Sequence, residues 1–243
     1  MNEHRQLTAL AVAALLATGG CATGPNRNPQ DPLEPLNRVT YGFNDALDRH
    51  FARPVAKQYN RLVPQAARTA VDNFFANLGD VAVMFNDFAQ LRIGDGMSDL
   101  GRIAFNTTFG IFGTIDIASA VKMPRHEQDF GLTLAHYGLP SGPYLVLPLF
   151  GPSTFRDAAG FGIDRYASPI TYADPAWRNS LWGLDFLSTR ARYLNATTLL
   201  EEAALDKYLF TRDAWLGQRA AKVRGNTDEQ LPDYDKDEQT HSQ

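Results

Sequence analysis

The chain has 243 residues, of which 44% are hydrophobic, and a net charge of −4. A chain of this length can bury one core of ordinary domain size, so we expect a single domain. Residues 226–243 carry six acidic residues and one lysine, which leaves +1 on the rest of the chain. That nearly neutral body argues against nucleic-acid binding, which needs a basic stripe.

The first twenty residues have the pattern of a secretion signal. Arg5 gives a minimal positive start, and an apolar run of eleven residues follows at 7–17. This run is too short to span a bilayer, which takes about 20 residues. The sequence therefore predicts that residues 1–20 are a signal peptide.

The only cysteine, Cys21, directly follows the small residues that end this apolar run. That position resembles the lipobox of bacterial lipoproteins, although Thr18 stands where leucine is usual. We therefore expect Cys21 to become the acylated first residue of the mature protein, with residues 21–30 as a lipidated tether. Ala22 resembles the signal for sorting to the outer membrane. A plain signal peptide with an incidental cysteine is the alternative.

Apolar residues at helical spacing, bounded by prolines and glycines, predict a series of mostly short helices in the mature chain. They are expected at 36–51, 55–62, 65–78, 81–93, 98–108, 115–121, 127–137, 153–166, 175–194 and 198–223. Gly79 is expected to end the third helix and Asp80 to cap the fourth. The last helix is expected to bend near Asp206 or Phe210. The predicted fold class is all-α.

One stretch, residues 138–157, differs from the rest of the chain. Its segment Tyr144 to Phe150 is apolar on both sides, so it has no face for water and is expected to be buried or in lipid. Pro148 argues against a central strand, because proline cannot donate to a sheet ladder. Glycine–proline pairs at 142–143 and 151–152 bracket the run. A loop or hairpin that plugs a core is the alternative to a segment in contact with lipid.

Several helix faces are unusually aromatic. In a protein surrounded by water these rings would fill one core, yet many short helices with 14 prolines do not resemble a compact bundle. The aromatic residues are Phe74, Phe75, Phe85, Phe88, Phe105, Phe109 and Phe112.

Signatures of catalysis are missing from the sequence, including G-x-S-x-G, a Walker loop, G-x-G-x-x-G and H-E-x-x-H. His126 and Glu127, with Asp129 nearby, do not predict a metal site, because adjacent residues do not share a helix face. Ser153 is better explained as a helix N-cap than as a nucleophile. We therefore expect no enzyme activity, no cofactor and no metal.

Five stretches of the mature chain resemble the MlaA (VacJ) family of outer-membrane lipoproteins. They are DPLEPLNRVTYGFNDALD (31–48), RPVAKQYNRLVPQAAR (53–68), GRIAFNTTFGIFGTIDIAS (101–119), DFGLTLAHYGLPSGPYLVLPLFGPSTFRDAAG (129–160) and LDKYLFTRDAWLGQR (205–219). The resemblance implies a ring-like, all-helical domain over 31–225, embedded in the periplasmic leaflet of the outer membrane. The tail 226–243, acidic and poor in aromatic residues, is expected to be disordered.

The resemblance also implies a function. Proteins of this family remove misplaced phospholipid from the outer leaflet through a central amphipathic channel, pass it to a soluble periplasmic carrier, and associate with trimeric porins. The seven residues expected along the lipid path are Tyr144, Leu145, Leu147, Leu149, Phe150, Arg156 and Asp157. Asp129 and Arg102 are further candidates for the polar lining.

Two other classes of function stay open. One is a structural adaptor lipoprotein that docks on a porin and moves no lipid. The other is a lipid hydrolase, which would need a nucleophile with a base and an orienting group that no motif supplies.

Overall fold

The computed structural model describes residues 28, 29 and 31–227. Cys21, the signal peptide and the acidic tail lie outside the described residues, so the expectations for them stay predictions.

The described chain is helical apart from one short hairpin. In chain order its elements are α1 (Glu34–Leu47), a π-helical turn (Asp48–Ala52), α2 (Arg53–Leu62), α3 (Gln65–Ala89), α4 (Ile93–Thr108), α5 (Ile117–Ala120), α6 (Phe130–His136), β1 (Tyr144–Leu147), β2 (Gly151–Thr154), α7 (Phe155–Ala167), a 3-10 turn (Pro169–Tyr172), α8 (Pro175–Arg192), α9 (Leu194–Ala203) and α10 (Lys207–Thr227). The all-α prediction is confirmed.

The predicted break at Gly79 and Asp80 is wrong. Helix α3 runs through both residues for 25 residues without interruption. Asp80 caps nothing and is instead buried beside two cations, 3.7 Å from Arg102 Nε and 3.3 Å from Arg125 Nη2. These tertiary partners and the long contact with α4 outweigh the roughly 1 kcal/mol that an interior glycine costs a helix.

Two further helix boundaries differ from the prediction. Helix α7 begins at Phe155, and its N-cap is Thr154 rather than Ser153, since Thr154 accepts the Asp157 N–H. The last predicted helix is not continuous. It is broken between α9 and α10, where the Asp206 carboxylate accepts the Leu209 N–H at 3.1 Å and so starts α10.

The central run forms an antiparallel hairpin, one of the two predicted alternatives. Tyr144 lies opposite Thr154, and Leu147 lies opposite Gly151. Pro148 falls in the turn, where its missing N–H removes no ladder hydrogen bond. At the tip Leu149 has a φ of +69°, a left-handed conformation that is costly for a branched side chain. The tip is therefore a constrained structure that its neighbours must hold in place.

The helices form a closed circuit of packed neighbours. The hairpin packs on α1, which leads through the π-helical turn to α2; α2 packs on α8, α8 on α3, α3 on α6, α6 on α10, and α10 returns to β2. Helix α4 lies outside this circuit against α3. This order of contacts agrees with the ring-like domain implied by the resemblance.

Burial in this structure is reversed relative to a protein surrounded by water. Among the described residues, nine buried residues are of hydrophobic type and seventeen are polar or charged. Large apolar side chains are instead exposed, including Phe109 at 65% and Phe112 at 74%. Buried polar residues and broad apolar surfaces are the informative departures from ordinary burial, and they indicate apolar surroundings. Within 31–227, the helices all lack the combination of length and hydrophobicity required to cross a bilayer.

Candidate functional site

Two asparagines on one face of α1 hold the hairpin. Asn37 Nδ2 donates to the Tyr144 carbonyl at 3.0 Å, and its Oδ1 accepts the Val146 N–H at 2.9 Å. Asn44, two helical turns later, repeats the arrangement with the Leu147 carbonyl at 2.9 Å and the Leu149 N–H at 2.8 Å. The two side chains thus act as an additional strand along the free edge of β1, which satisfies its backbone groups.

The other side of the hairpin packs against α10. The Tyr144 ring lies 6.3 Å from the Tyr208 ring and 6.1 Å from that of Trp215. Tyr208 donates its hydroxyl to Asp31 at 2.5 Å, and Arg212 lies 3.2 Å from the same carboxylate. Because both ends of the described chain meet here, the hairpin is fixed between α1 and α10.

The tip of the hairpin projects into a cavity of about 620 Å³, which we call the first cavity. That volume is within the usual range for a small-molecule site. Its apolar lining comes from α1, the π-helical turn, α2, the hairpin tip and α8: Leu47, Phe51, Val55, Leu149, Phe150, Phe186 and Leu187. On its wall Asp48 pairs with Arg190 at 2.5 Å, so the charges there are neutralised.

Phe150 also lines a second cavity of about 260 Å³, so the two cavities are neighbours. The second cavity is amphipathic. Its apolar residues are Leu147, Phe150, Pro152, Phe161 and Trp215, and its polar residues are Asp129, Ser153, Asp157, Asp164 and Arg219. The interior therefore changes from apolar to charged across one phenylalanine ring.

The charged end of the second cavity is centred on Arg219 of α10. Its guanidinium binds both oxygens of Asp129, at 2.5 and 2.6 Å, and one oxygen of Asp157 at 2.8 Å. Burial of Asp129 opposes its ionisation, but the pair with Arg219 outweighs this and lowers the pKa of Asp129 below its usual value. A Cβ at Gly131 would collide with this cluster, so only glycine leaves the three side chains room to meet.

A third cavity, of about 220 Å³, adjoins the second through Phe161 and Asp164. It contains Arg165, whose guanidinium carbon lies 3.5 Å from the centre of the Trp182 ring and within 5.6 Å of those of Phe150 and Phe161. Burial lowers the pKa of Arg165 below its usual value. Within 31–227 this guanidinium makes no hydrogen bond or close ion pair, although Asp185 in the same cavity favours its charge. Arg165 is thus a cation held by aromatic faces with its N–H donors available.

The predicted path residues divide into three groups. Four of the seven line the first or second cavity: Leu147, Leu149, Phe150 and Asp157. Tyr144 is fully buried, with its ring on the side of the hairpin that packs against α10. Leu145 is half-buried and lines neither cavity. Arg156 is buried, with its donors on Asp157 at 3.0 Å and on the Leu139 carbonyl at 3.3 Å.

The other residues examined on the sequence lie apart from one another. Glu127 pairs with Lys222, Asp129 with Arg219, and His126 with Asp99, so the three do not form one site. The hydroxyl of Ser153 donates to the Thr154 carbonyl at 3.2 Å. Arg102 is buried and pairs with Asp116.

Sequence reasoning missed four residues of this interior. Asn37 and Asn44 carried a usable signal, since a spacing of seven residues puts both on one helix face. Arg219 lay inside a recognised stretch without a role, and Arg165 follows no motif. Neither arginine could be placed without knowing that α7, α8 and α10 meet around the hairpin.

The fold and these cavities define a class: an all-helical, membrane-associated protein with an amphipathic interior. The chain belongs to the MlaA lipoprotein family, whose sequence model matches residues 29–222. This is a family of transport lipoproteins and not a known enzyme family.

Similar proteins carry corresponding names. The chain is 37% identical over 215 residues to the "Intermembrane phospholipid transport system lipoprotein MlaA" of Escherichia coli K12, covering 86% of this chain and 85% of the relative. The Haemophilus influenzae protein of the same name is 32% identical over 246 residues, covering 96% and 97%. A solved structure described as "Structural basis for maintenance of bacterial outer membrane lipid asymmetry" is similar with a TM-score of 0.71 at 34% identity, covering 81% of this chain and 100% of the other.

Proposed function

We propose that this protein is an outer-membrane lipoprotein that removes phospholipid from the outer leaflet through its interior and passes it to a soluble periplasmic carrier. The names of its relatives supply the substrate class, because they describe phospholipid transport between membranes. The observation that carries the proposal is the gradient from the apolar first cavity to the charged second and third cavities, which adjoin at Phe150, Phe161 and Asp164.

This gradient suits a phospholipid because the molecule has two unlike ends. Acyl chains gain free energy wherever they leave water, so the first cavity is the favourable place for them. Moving a phosphate headgroup from water into an apolar site costs several kcal/mol unless hydrogen-bond donors of the protein pair with it. The path we propose therefore runs along the hairpin, with the chains against Leu149 and Phe150 and the headgroup on the side of Phe161 and Asp164.

Arg165 is the headgroup residue in this proposal. Arginine binds phosphate through two parallel N–H donors, and the donors of Arg165 are not used within the described chain. Arg156, the residue expected from the sequence, already donates to Asp157 and to the Leu139 carbonyl. Asp185 lies in the same cavity and favours the charge of Arg165, but it accepts no hydrogen bond from the guanidinium, so the N–H donors remain for a phosphate.

The location belongs to the same proposal. Exposed aromatic residues on the outer faces support embedding in the acyl region of one leaflet, and acylation at Cys21 would supply the anchor. A trimeric porin and a soluble periplasmic carrier are the proposed partners, since a leaflet-bound protein needs a route from the outer leaflet and a receiver for the lipid.

The test uses cells that lack this protein and carry the wild-type chain or a variant. Arg165→Ala should leave protein level, outer-membrane location and porin association unchanged, while surface phospholipid, measured by its cleavage with added phospholipase, rises toward the level of the deletion. Arg165→Lys should be intermediate, because it keeps the charge without the paired donors. Arg61→Ala, an exposed arginine of α2, is the matched control and should behave as wild type.

The outcomes separate the two parts of the proposal. A deletion that leaves surface phospholipid unchanged would contradict transport and favour the adaptor function. Normal surface phospholipid in a stable Arg165→Ala protein, together with a clear effect of the deletion, would remove Arg165 from the path.

A further inference from the structure

A second polar site lies away from the cavities, where three elements meet. It contains Asp87 near the end of α3, Asp99 in α4, and His126 in the segment that leads to α6. One ligand atom from each residue can be chosen so that all three lie within 4.8 Å of one another. None of the three residues has a role in the proposed lipid path.

Asp87 is the residue that requires an explanation. Its side chain is fully buried, and both carboxylate oxygens lack a hydrogen-bond donor from any described residue. The Arg92 Nε lies 3.8 Å from one of these oxygens, which is too far for a hydrogen bond. The second oxygen of Asp99 is also buried without a donor. Burial and the neighbouring Asp99 raise the pKa of Asp87 to about 8, despite the distant Arg92 cation. Two adjacent buried carboxyl groups are unfavourable unless a proton or a bound cation lies between them.

The geometry around His126 points the same way. Its Nδ1 lies 3.0 Å from Asp99 Oδ1. This is an ordinary hydrogen-bond distance, and two tetrahedral ligands of one zinc ion at about 2.1 Å are roughly 3.4 Å apart, so only a small outward shift would let both atoms bind an ion. The other ring nitrogen, Nε2, lies 3.4 Å from Asp95 Oδ1. A carboxylate behind a metal-bound imidazole is the usual outer-shell partner, which orients the ring.

We propose that Asp87, Asp99 and His126 bind a divalent cation, with Zn²⁺ as the preferred ion and Asp95 as the outer-shell residue. Imidazole with carboxylate oxygens suits zinc, which commonly takes three protein ligands and a water. The ion would join α3, α4 and the segment before α6. That segment leads to Asp129, so the site would stabilise the wall that carries the Arg219 cluster without touching lipid.

The test uses the untagged full mature chain in detergent, treated with a chelator and desalted. Titration with Zn²⁺ in a calorimeter should show one ion per chain, and thermal unfolding of the zinc-loaded protein should occur at a higher temperature than that of the chelated protein. His126→Gln and Asp99→Asn should each lose this binding. Asp95→Asn should weaken it by about 10–100-fold, as outer-shell changes do. His50→Gln, an exposed histidine of the π-helical turn, is the control and should bind as wild type.

The main rival is a proton shared by the two aspartates, with no metal. Absence of one-to-one Zn²⁺ binding would overturn the proposal in favour of that rival. Persistence of the binding in His126→Gln would overturn it by placing the ion at another site. If the ligand variants fail to fold, X-ray absorption of zinc in the wild-type protein decides the matter. One imidazole nitrogen with oxygen neighbours supports the site, and a spectrum without imidazole contradicts it.

Discussion

Replacing Asn37 with leucine should test how the hairpin is held. Leucine has a similar size but cannot pair with the Tyr144 carbonyl or the Val146 N–H, which lie 3.0 and 2.9 Å from the asparagine. It also cannot donate to the buried Asp31 carboxylate, which lies 2.9 Å from Asn37 Nδ2. Both backbone groups belong to residues that are at most 2% exposed, so water cannot replace the lost partner. A buried group left without a partner costs about 1–3 kcal/mol, so the free energy of unfolding should fall by about 2–6 kcal/mol from the two backbone groups, with a further loss at Asp31.

Asn44→Leu is the matched control on the same helix face. It removes the same two kinds of hydrogen bond, but at the exposed tip, where Leu149 is 56% exposed. Water can satisfy these groups, so only the net value of the hydrogen bonds is lost, about 1–2 kcal/mol for the pair. The comparison should therefore give a clearly larger loss at position 37 than at position 44.

Denaturant unfolding of both variants in the same detergent measures the difference. Hydrogen exchange gives a second measurement, in which the Val146 amide should exchange faster in Asn37→Leu and near the wild-type rate in Asn44→Leu. Equal losses of stability in the two variants would refute the reasoning, because Asn37 bonds buried groups that water cannot reach.

Three other predictions follow from the structure. In Gly160→Ala the new Cβ would collide with the backbone of α6, so the free energy of unfolding measured with denaturant should fall by about 1–3 kcal/mol. Gly162→Ala on the same helix is the control, because its Cβ meets nothing within 4 Å and the variant should gain up to about 1 kcal/mol. Equal effects would contradict the close helix contact. The pair with Arg219 lowers the pKa of Asp129, so the pair stabilises the fold above the usual carboxyl pKa of 3.8, and this stabilisation is lost as the pH falls through the folded pKa. In Asp129→Asn the free energy of unfolding should therefore depend less on pH in that acidic range. An unchanged pH profile would show that the pair contributes nothing. Intact-mass measurement of the mature protein should show loss of residues 1–20 and acylation at Cys21, and cleavage elsewhere with a free thiol would contradict the predicted anchor.

Local sequence signals determined the fold class and the position of the hairpin. Helical spacing and proline boundaries act over a few residues, and most predicted helices appear close to their expected bounds. The apolar run between two glycine–proline pairs likewise became β1, the tip and β2. Leu147, Leu149 and Phe150 come from that run, and they line the cavities because the apolar tip of the hairpin lies between the two cavities.

Tertiary structure decided the features that depend on distant residues. Helix α3 continues through Gly79 because Asp80 finds Arg102 and Arg125 on other elements, which no local propensity includes. The aromatic faces were visible in the sequence, but periodicity says only that a face is apolar and not whether it meets a core or a membrane. The structure decides it, because large apolar side chains are exposed while polar side chains are buried, which indicates apolar surroundings.

The residues around the cavities and the proposed metal site were out of reach of the sequence for the same reason. Asn37 is separated from Tyr144 by 107 positions, and His126 from Asp99 by 27. Arg165 meets Trp182 only because α7 and α8 are adjacent. None of these side chains is unusual by residue type. Their roles depend on partners that are distant in sequence and come into contact only when the helices pack together.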